Sequence, residues 1–97
     1  MQKFMKIKDA IYLIEPSKRQ NKKYDVYIVL NRNPLNKKYI VSFGQKGMEQ
    51  YKDKFGHYKD LDHNDKKRKD AYRSRHKNDN INDPNFAGYW SWNYLWD

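Results

Sequence analysis

Residues 24–30 read YDVYIVL, and the alternation within this run points to a β-sheet. Tyr24, Val26, Ile28 and Leu30 fall on one side of an extended strand, while Asp25, Tyr27 and Val29 fall on the other. The run therefore reads as the central strand of a sheet. Working outward, Ala10–Glu15 (AIYLIE) and Lys38–Phe43 (KYIVSF) are similarly rich in β-branched and aromatic residues. Turn chemistry bounds all three: Pro16-Ser17 with the run KRQNKK, then Asn31-Arg32-Asn33-Pro34, then Gly44. The expected fold class is α+β, with a small three-stranded antiparallel sheet followed by helices.

After Gly44 the aliphatic residues almost disappear and aromatic ones are spaced out. Met48, Tyr51 and Phe55 fall at i, i+3 and i+7, which predicts a short helix ending near Gly56. A second helix is expected to start near Asp62 to Asp65, where carboxylates suit the positive helix end. It runs through KKRKDAYRSRHK, whose cations suit the negative end. Arg68, Tyr72 and His76 share one face of it, and Lys66, Lys69, Arg73 and Lys77 form a neighbouring stripe. Ala71 and Tyr72 are its only apolar residues, so aromatic partners must hold it in place. The stretch NDNINDP breaks this helix, and Asp83-Pro84 suits the cap and first turn of a third, Trp-rich one. Its small Ala87-Gly88 pair would admit a close backbone.

The chain has 97 residues, enough for one domain, β-rich over 1–44 and helical, basic and aromatic over 45–97. Only 37% of residues are hydrophobic, so the aromatic 16% must supply much of the buried area. Such aromatic content argues against disorder. A net charge of +9 and a pI near 9.7 point to acidic partners, DNA or RNA first and acidic protein surfaces second. A general bias towards lysine would explain part of that charge. Cysteine is absent, which excludes disulfides, thiolate zinc sites and thiol catalysis. No run approaches the roughly 20 apolar residues of a membrane span, so no membrane partner is expected.

The order Phe43-Gly44-x-Lys46-Gly47, a charged helix start at Asp65 to Arg68, and Tyr72-x-x-Arg75-His76-Lys77 leads to Asp83-Pro84-x-x-Ala87-Gly88-x-Trp90-Ser91-x-x-x-Leu95-Trp96. Over residues 38–97 this order resembles an uncharacterised family of small proteins encoded by giant nucleocytoplasmic DNA viruses. The resemblance implies a viral source, with the host cytoplasm, viral factory or virion as the place of action. It implies no named activity and no cofactor. Phe43, Gly44, Gly47, Tyr72, Arg75, His76, Pro84, Gly88, Trp90 and Trp96 are then its structural motif.

Asp60, Asp62, Asp65 and Asp70, with His57, His63 and His76, are metal-ligand types, but their spacing forces no convergence, and most of the acids alternate with lysines as on a solvated surface. No catalytic or metal-binding residue is assigned. The Gly44 and Gly47 pair lacks the rest of a phosphate loop and reads as a tight turn with Lys46 exposed. Arg75 is expected to stack on a tryptophan, and His76 to bond within the fold. Lys46, Lys66, Lys67, Lys69, Arg73 and Lys77 remain as contacts for nucleic acid of little sequence preference, with a further cationic cluster at Lys18 to Lys23. The alternative is a virion or assembly protein that docks through its aromatic C-terminal segment. The sequence leaves the oligomeric state open.

Overall fold

Four strands form one antiparallel sheet in the order in which they occur along the chain: β1 (Lys3–Ile7), β2 (Ala10–Pro16), β3 (Lys22–Leu30) and β4 (Asn33–Gln45). A 3-10 turn (Lys59–Leu61) and helices α1 (Lys66–His76) and α2 (Ala87–Tyr94) follow. The computed structural model describes residues 1–97. The architecture is α+β, but with four strands and two helices rather than three and three. No helix is long and apolar enough to cross a membrane.

The extra strand is β1. Its Met5 and Ile7 lie opposite Tyr12 and Ala10 and pack against the core, while Lys3 and Lys6 stay exposed. Lysines on an edge strand discourage pairing with another chain, and they also dilute the apolar signal in KFMKI. Strand β4 begins earlier than its sequence suggests, at Asn33, because an edge strand tolerates Pro34. Its register jumps from Val29↔Lys37 to Leu30↔Asn33, which leaves residues 34–36 outside the ladder. A second shift, between Val26↔Val41 and Tyr27↔Tyr39, leaves Ile40 as a bulge.

One face of the sheet carries the core. Tyr12 and Ile14 from β2, Tyr24 and Val26 from β3, and Phe43 from β4 meet Phe55, Trp90 and Leu95 from above. Trp90 is 0% exposed. Its ring lies stacked on Phe43 at 6.1 Å and edge-on to Tyr12 at 5.6 Å, and its indole N–H donates to the Pro84 carbonyl at 2.8 Å. The Trp-rich segment is thus the lid of the sheet. Its helix starts later than Asp83-Pro84. The Asp83 carboxylate instead accepts from the Asn85 N–H at 3.0 Å in a local turn, and Phe86, without a capping side chain, precedes the first helical residue. The Asn80 backbone does approach Gly88, but only to ordinary contact: a Cβ there would lie 3.5 Å from the Asn80 carbonyl oxygen, so the approach does not require glycine.

The helix expected over Met48 to Phe55 does not form. Gln50 and Asp53, polar residues that a helix would turn outward, are each 1% exposed. The backbone N–H groups of Lys52 and Lys54 donate to the carbonyls of Leu95 and Tyr94, both at 3.0 Å. Those are carbonyls that the end of α2 leaves unpaired, so the segment satisfies α2 rather than itself.

Replacing Trp90 by Ala is expected to cost about 3–5 kcal/mol, and a chain lacking residues 86–97 should show no cooperative unfolding. Denaturant titration followed by circular dichroism checks both, and an unchanged midpoint in either would contradict this packing. Between β3 and β4, Asn31 and Arg32 have φ of 53° and 56°, a two-residue turn in which both residues are left-handed. Relieving that at Arg32→Gly should stabilise by roughly 0.5–1 kcal/mol, the left-handed penalty less the entropy of glycine. The thermal midpoint should rise by a few degrees; a fall would contradict the assignment.

Candidate anion-binding site

The candidate site is a cavity of about 660 Å³ between α1, the start of β3, the end of β4 and the first turns of α2. Its base is fixed by burial of an ammonium group. Lys23, 1% exposed, donates from Nζ to the Met48 carbonyl at 2.6 Å and to the side-chain oxygen of Gln50. Burial lowers the pKa of Lys23, opposed by the charges of Asp53 and Asp62. Gly44 passes directly against it: with φ of 75°, a Cβ there would lie 3.0 Å from Lys23 Cβ and 3.1 Å from Leu95 Cδ1. Only glycine meets both conditions.

The outer wall is α1. Asp65 caps it, its carboxylate accepting from the Lys67 and Arg68 N–H groups at 3.0 and 3.4 Å. Aromatic rings attach the helix to the rest of the protein. Tyr72 lies between Trp96, 4.3 Å away and nearly parallel, and His76, 4.2 Å away. Burial raises the pKa of Tyr72, so its phenol stays neutral. Trp96 in turn meets His63 at 5.3 Å.

This docking redistributes the predicted roles. Arg73, read as facing outward, lies 4.1 Å over the Trp92 ring and donates to the Trp96 carbonyl and the Asp97 carboxylate at 2.9 and 3.0 Å. Arg75, read as the residue stacked on tryptophan, is exposed and lines the cavity. The reason is angular: α1 turns Lys69 and Arg73, one turn apart, onto the Tyr51 and Trp92 rings, and Arg75 points two residues further round. Lys69 sits 4.7 Å over the Tyr51 ring. Lys66, Lys67 and Lys77 are exposed along α1. Lys46 is exposed in the tight turn after β4, outside the cavity, with Gly47 beside it at φ 87°.

Of the structural motif, Phe43, Gly44, Tyr72, Arg75 and His76 line the cavity, joined by Gly88 and Trp96. Pro84 and Trp90 serve the core instead. The charged lining is mixed, yet its acids are already paired: Glu49 with Arg68 at 3.0 Å, and Asp79 with His76 Nδ1 at 2.7 Å. Lys22 and Arg75 are left without an ion pair or a side-chain hydrogen bond. Lys22 was legible only as part of the Lys18 to Lys23 cluster, and Asp79 gave no signal because its partner lies across the end of a helix. The acids and histidines of residues 57–76 are not gathered into a ligand set. Comparison with family models, curated proteins and solved structures finds no match to this chain.

His63 provides a pH test of how α1 and the last residues are held. Its Nδ1 accepts from the Asp65 N–H at 2.9 Å, and its Nε2 is buried without a partner. Burial first, and Arg68 second, lower its pKa from the ordinary value. The unfolded chain therefore takes up the proton more readily, and stability is lost as pH falls below about 6.5. Between about pH 6.5 and 5, His63→Phe should show a flatter loss of thermal stability than the natural protein. Equal slopes would contradict the buried, neutral ring.

Proposed function

We propose that this protein binds nucleic acid through the side of the molecule formed by α1 and its cavity, with little sequence preference and no catalytic step. The observation that carries this is a set of cations without ion-pair partners on and around α1. Lys66 and Lys67 stand exposed at its start and Lys77 at its end, and Lys22 and Arg75 line the cavity beside it. Neutralising phosphates requires only such a surface, and releases condensed counterions from the nucleic acid. The sequence carries no helix-turn-helix, zinc-finger, RRM or KH signature, which suits contact with the backbone rather than base readout. The resemblance to the giant-virus family supports an accessory factor of a large DNA virus, acting in the host cytoplasm or viral factory. A virion protein docking through its aromatic end has weaker support, because Trp90 lies in the core and Trp92 and Trp96 are engaged by Arg73 and Tyr72.

Fluorescence anisotropy against labelled DNA and RNA over a range of salt tests the proposal. Affinity should fall steeply with salt, and the triple variant Lys66→Glu, Lys67→Glu, Lys77→Glu should reduce the log–log slope by roughly one unit for each phosphate it no longer neutralises. Salt-independent binding, or a slope untouched by the triple variant, would overturn it. Magnesium-dependent cleavage stopped by a chelator would make the protein a nuclease instead.

A further inference from the structure

We propose that the face of the sheet turned away from the helices is a stacking platform for single-stranded nucleic acid. Strand register builds it. Phe4 pairs with Leu13, Leu13 with Tyr27, and Tyr27 with Tyr39, so one apolar row crosses all four strands on one face. The row spans three inter-strand spacings, about 14 Å. None of its members packs against the core cluster, which occupies the opposite face. Phe4 and Tyr39, at its two ends, are 52% and 40% exposed.

The charges around this row select a polyanion over a second copy of the chain. Lys37 Nζ lies 4.6 Å over the Tyr27 ring, and the Arg19 guanidinium 4.9 Å over Tyr39. Lys6 stands exposed two residues from Phe4, on the same face. The acids here are already occupied. Asp25 accepts from the Ser17 and Ser42 hydroxyls at 2.7 and 2.6 Å, and Glu15 pairs with Lys37 at 3.9 Å and accepts from Gln2 at 3.0 Å. Two such faces packed together would oppose Lys6, Arg19 and Lys37 to like charges. A single strand would instead place its bases on the rings and its phosphates among the cations. The Arg19 plane extends the stacking surface, since guanidinium groups also stack on bases. In a duplex the base faces are already stacked on one another, so this surface discriminates strand form.

The α1 surface contacts phosphate alone and makes no such distinction. The inference takes its ligand class from the proposed function and rests on different residues. Its test is anisotropy of the full chain with a labelled oligothymidine and with a hairpin duplex, at one salt concentration. Phe4→Ala and Tyr39→Ala should each weaken single-strand binding by about tenfold, the usual worth of one stacked ring, and leave duplex binding unchanged. Tyr39→Phe, which keeps the ring but loses its hydroxyl bond to Ser42, should bind as the natural protein does. The two residues are only about half exposed and lie outside the core cluster, so each variant should still unfold cooperatively, which thermal unfolding checks. If the alanine variants bind the single strand normally, the platform is overturned while the cationic reading stands. If sedimentation shows a dimer that these variants dissociate, the face belongs to a second copy and the proposal fails. Absence of binding to either form removes both readings.

Discussion

The buried carboxylate of Asp53 organises the irregular segment that joins the sheet to the helices. Its oxygens accept from the Tyr24 hydroxyl at 2.5 Å and from the N–H groups of Tyr58 and Phe55, both at 2.9 Å. Tyr24 in turn accepts from the His57 N–H at 3.2 Å. Asp62 continues the network, taking the Asp53 N–H at 2.8 Å and the Gln50 amide at 2.5 Å, and Gln50 reaches Lys23. A buried charge is tolerable only when its hydrogen bonds are met, and here they are met by the backbone of an irregular segment. The network therefore dictates the path of residues 48–62, which in turn brings Phe55 onto Tyr24 and gives the carbonyls at the end of α2 their donors. Burial and the bond to Asp53 both hold the Tyr24 phenol protonated.

That dependence explains which parts of the fold were legible in the sequence. Alternation in YDVYIVL identifies β3 and its two faces because burial there follows strand period. The acid-to-base gradient from Asp65 to Lys77 identifies α1 because it reflects the helix dipole. The segment from Gly47 to Asp62 misleads because apolar spacing at Met48, Tyr51 and Phe55 imitates a helix, while the deciding residues, Gln50 and Asp53, are polar. Their burial depends on Lys23 and Tyr24, roughly 30 positions away, and no local pattern encodes that. The exchange of roles between Arg73 and Arg75 has the same origin. Both sit on the helix that was expected, but which of them meets a tryptophan depends on the rotation of α1 against α2.

The way α1 is attached also limits what its charge can do. A helix with two apolar residues would ordinarily be loose, yet here Tyr72 is sandwiched between Trp96 and His76, and Arg73 lies on Trp92. Those contacts use cations and aromatics as packing material. Lys54 and Arg73 both pair with Asp97, whose carboxyl group is held below its usual pKa chiefly by the hydrogen bond from Lys54. A formal charge of +9 therefore overstates the field available to a partner. Part of it is structural, and the cations without partners include Lys66, Lys67 and Lys77 along α1 and Lys22 and Arg75 in its cavity.

The same logic separates the two faces of the sheet. On the helical face, burial is achieved with large aromatic rings, and polar atoms are admitted only inside a complete network. On the other face the rings remain in reach of solvent, and the cations above Tyr27 and Tyr39 gain attraction from the ring faces without losing their water entirely. A cation held over an aromatic ring keeps an apolar surface soluble, and it also presents positive charge where a base would stack. One side of the protein thus commits its aromatic residues to cohesion, while the other keeps them available. The placement of Lys23, Asp53 and Trp90 on the first side makes that division possible, because it lets one face alone hold the fold together.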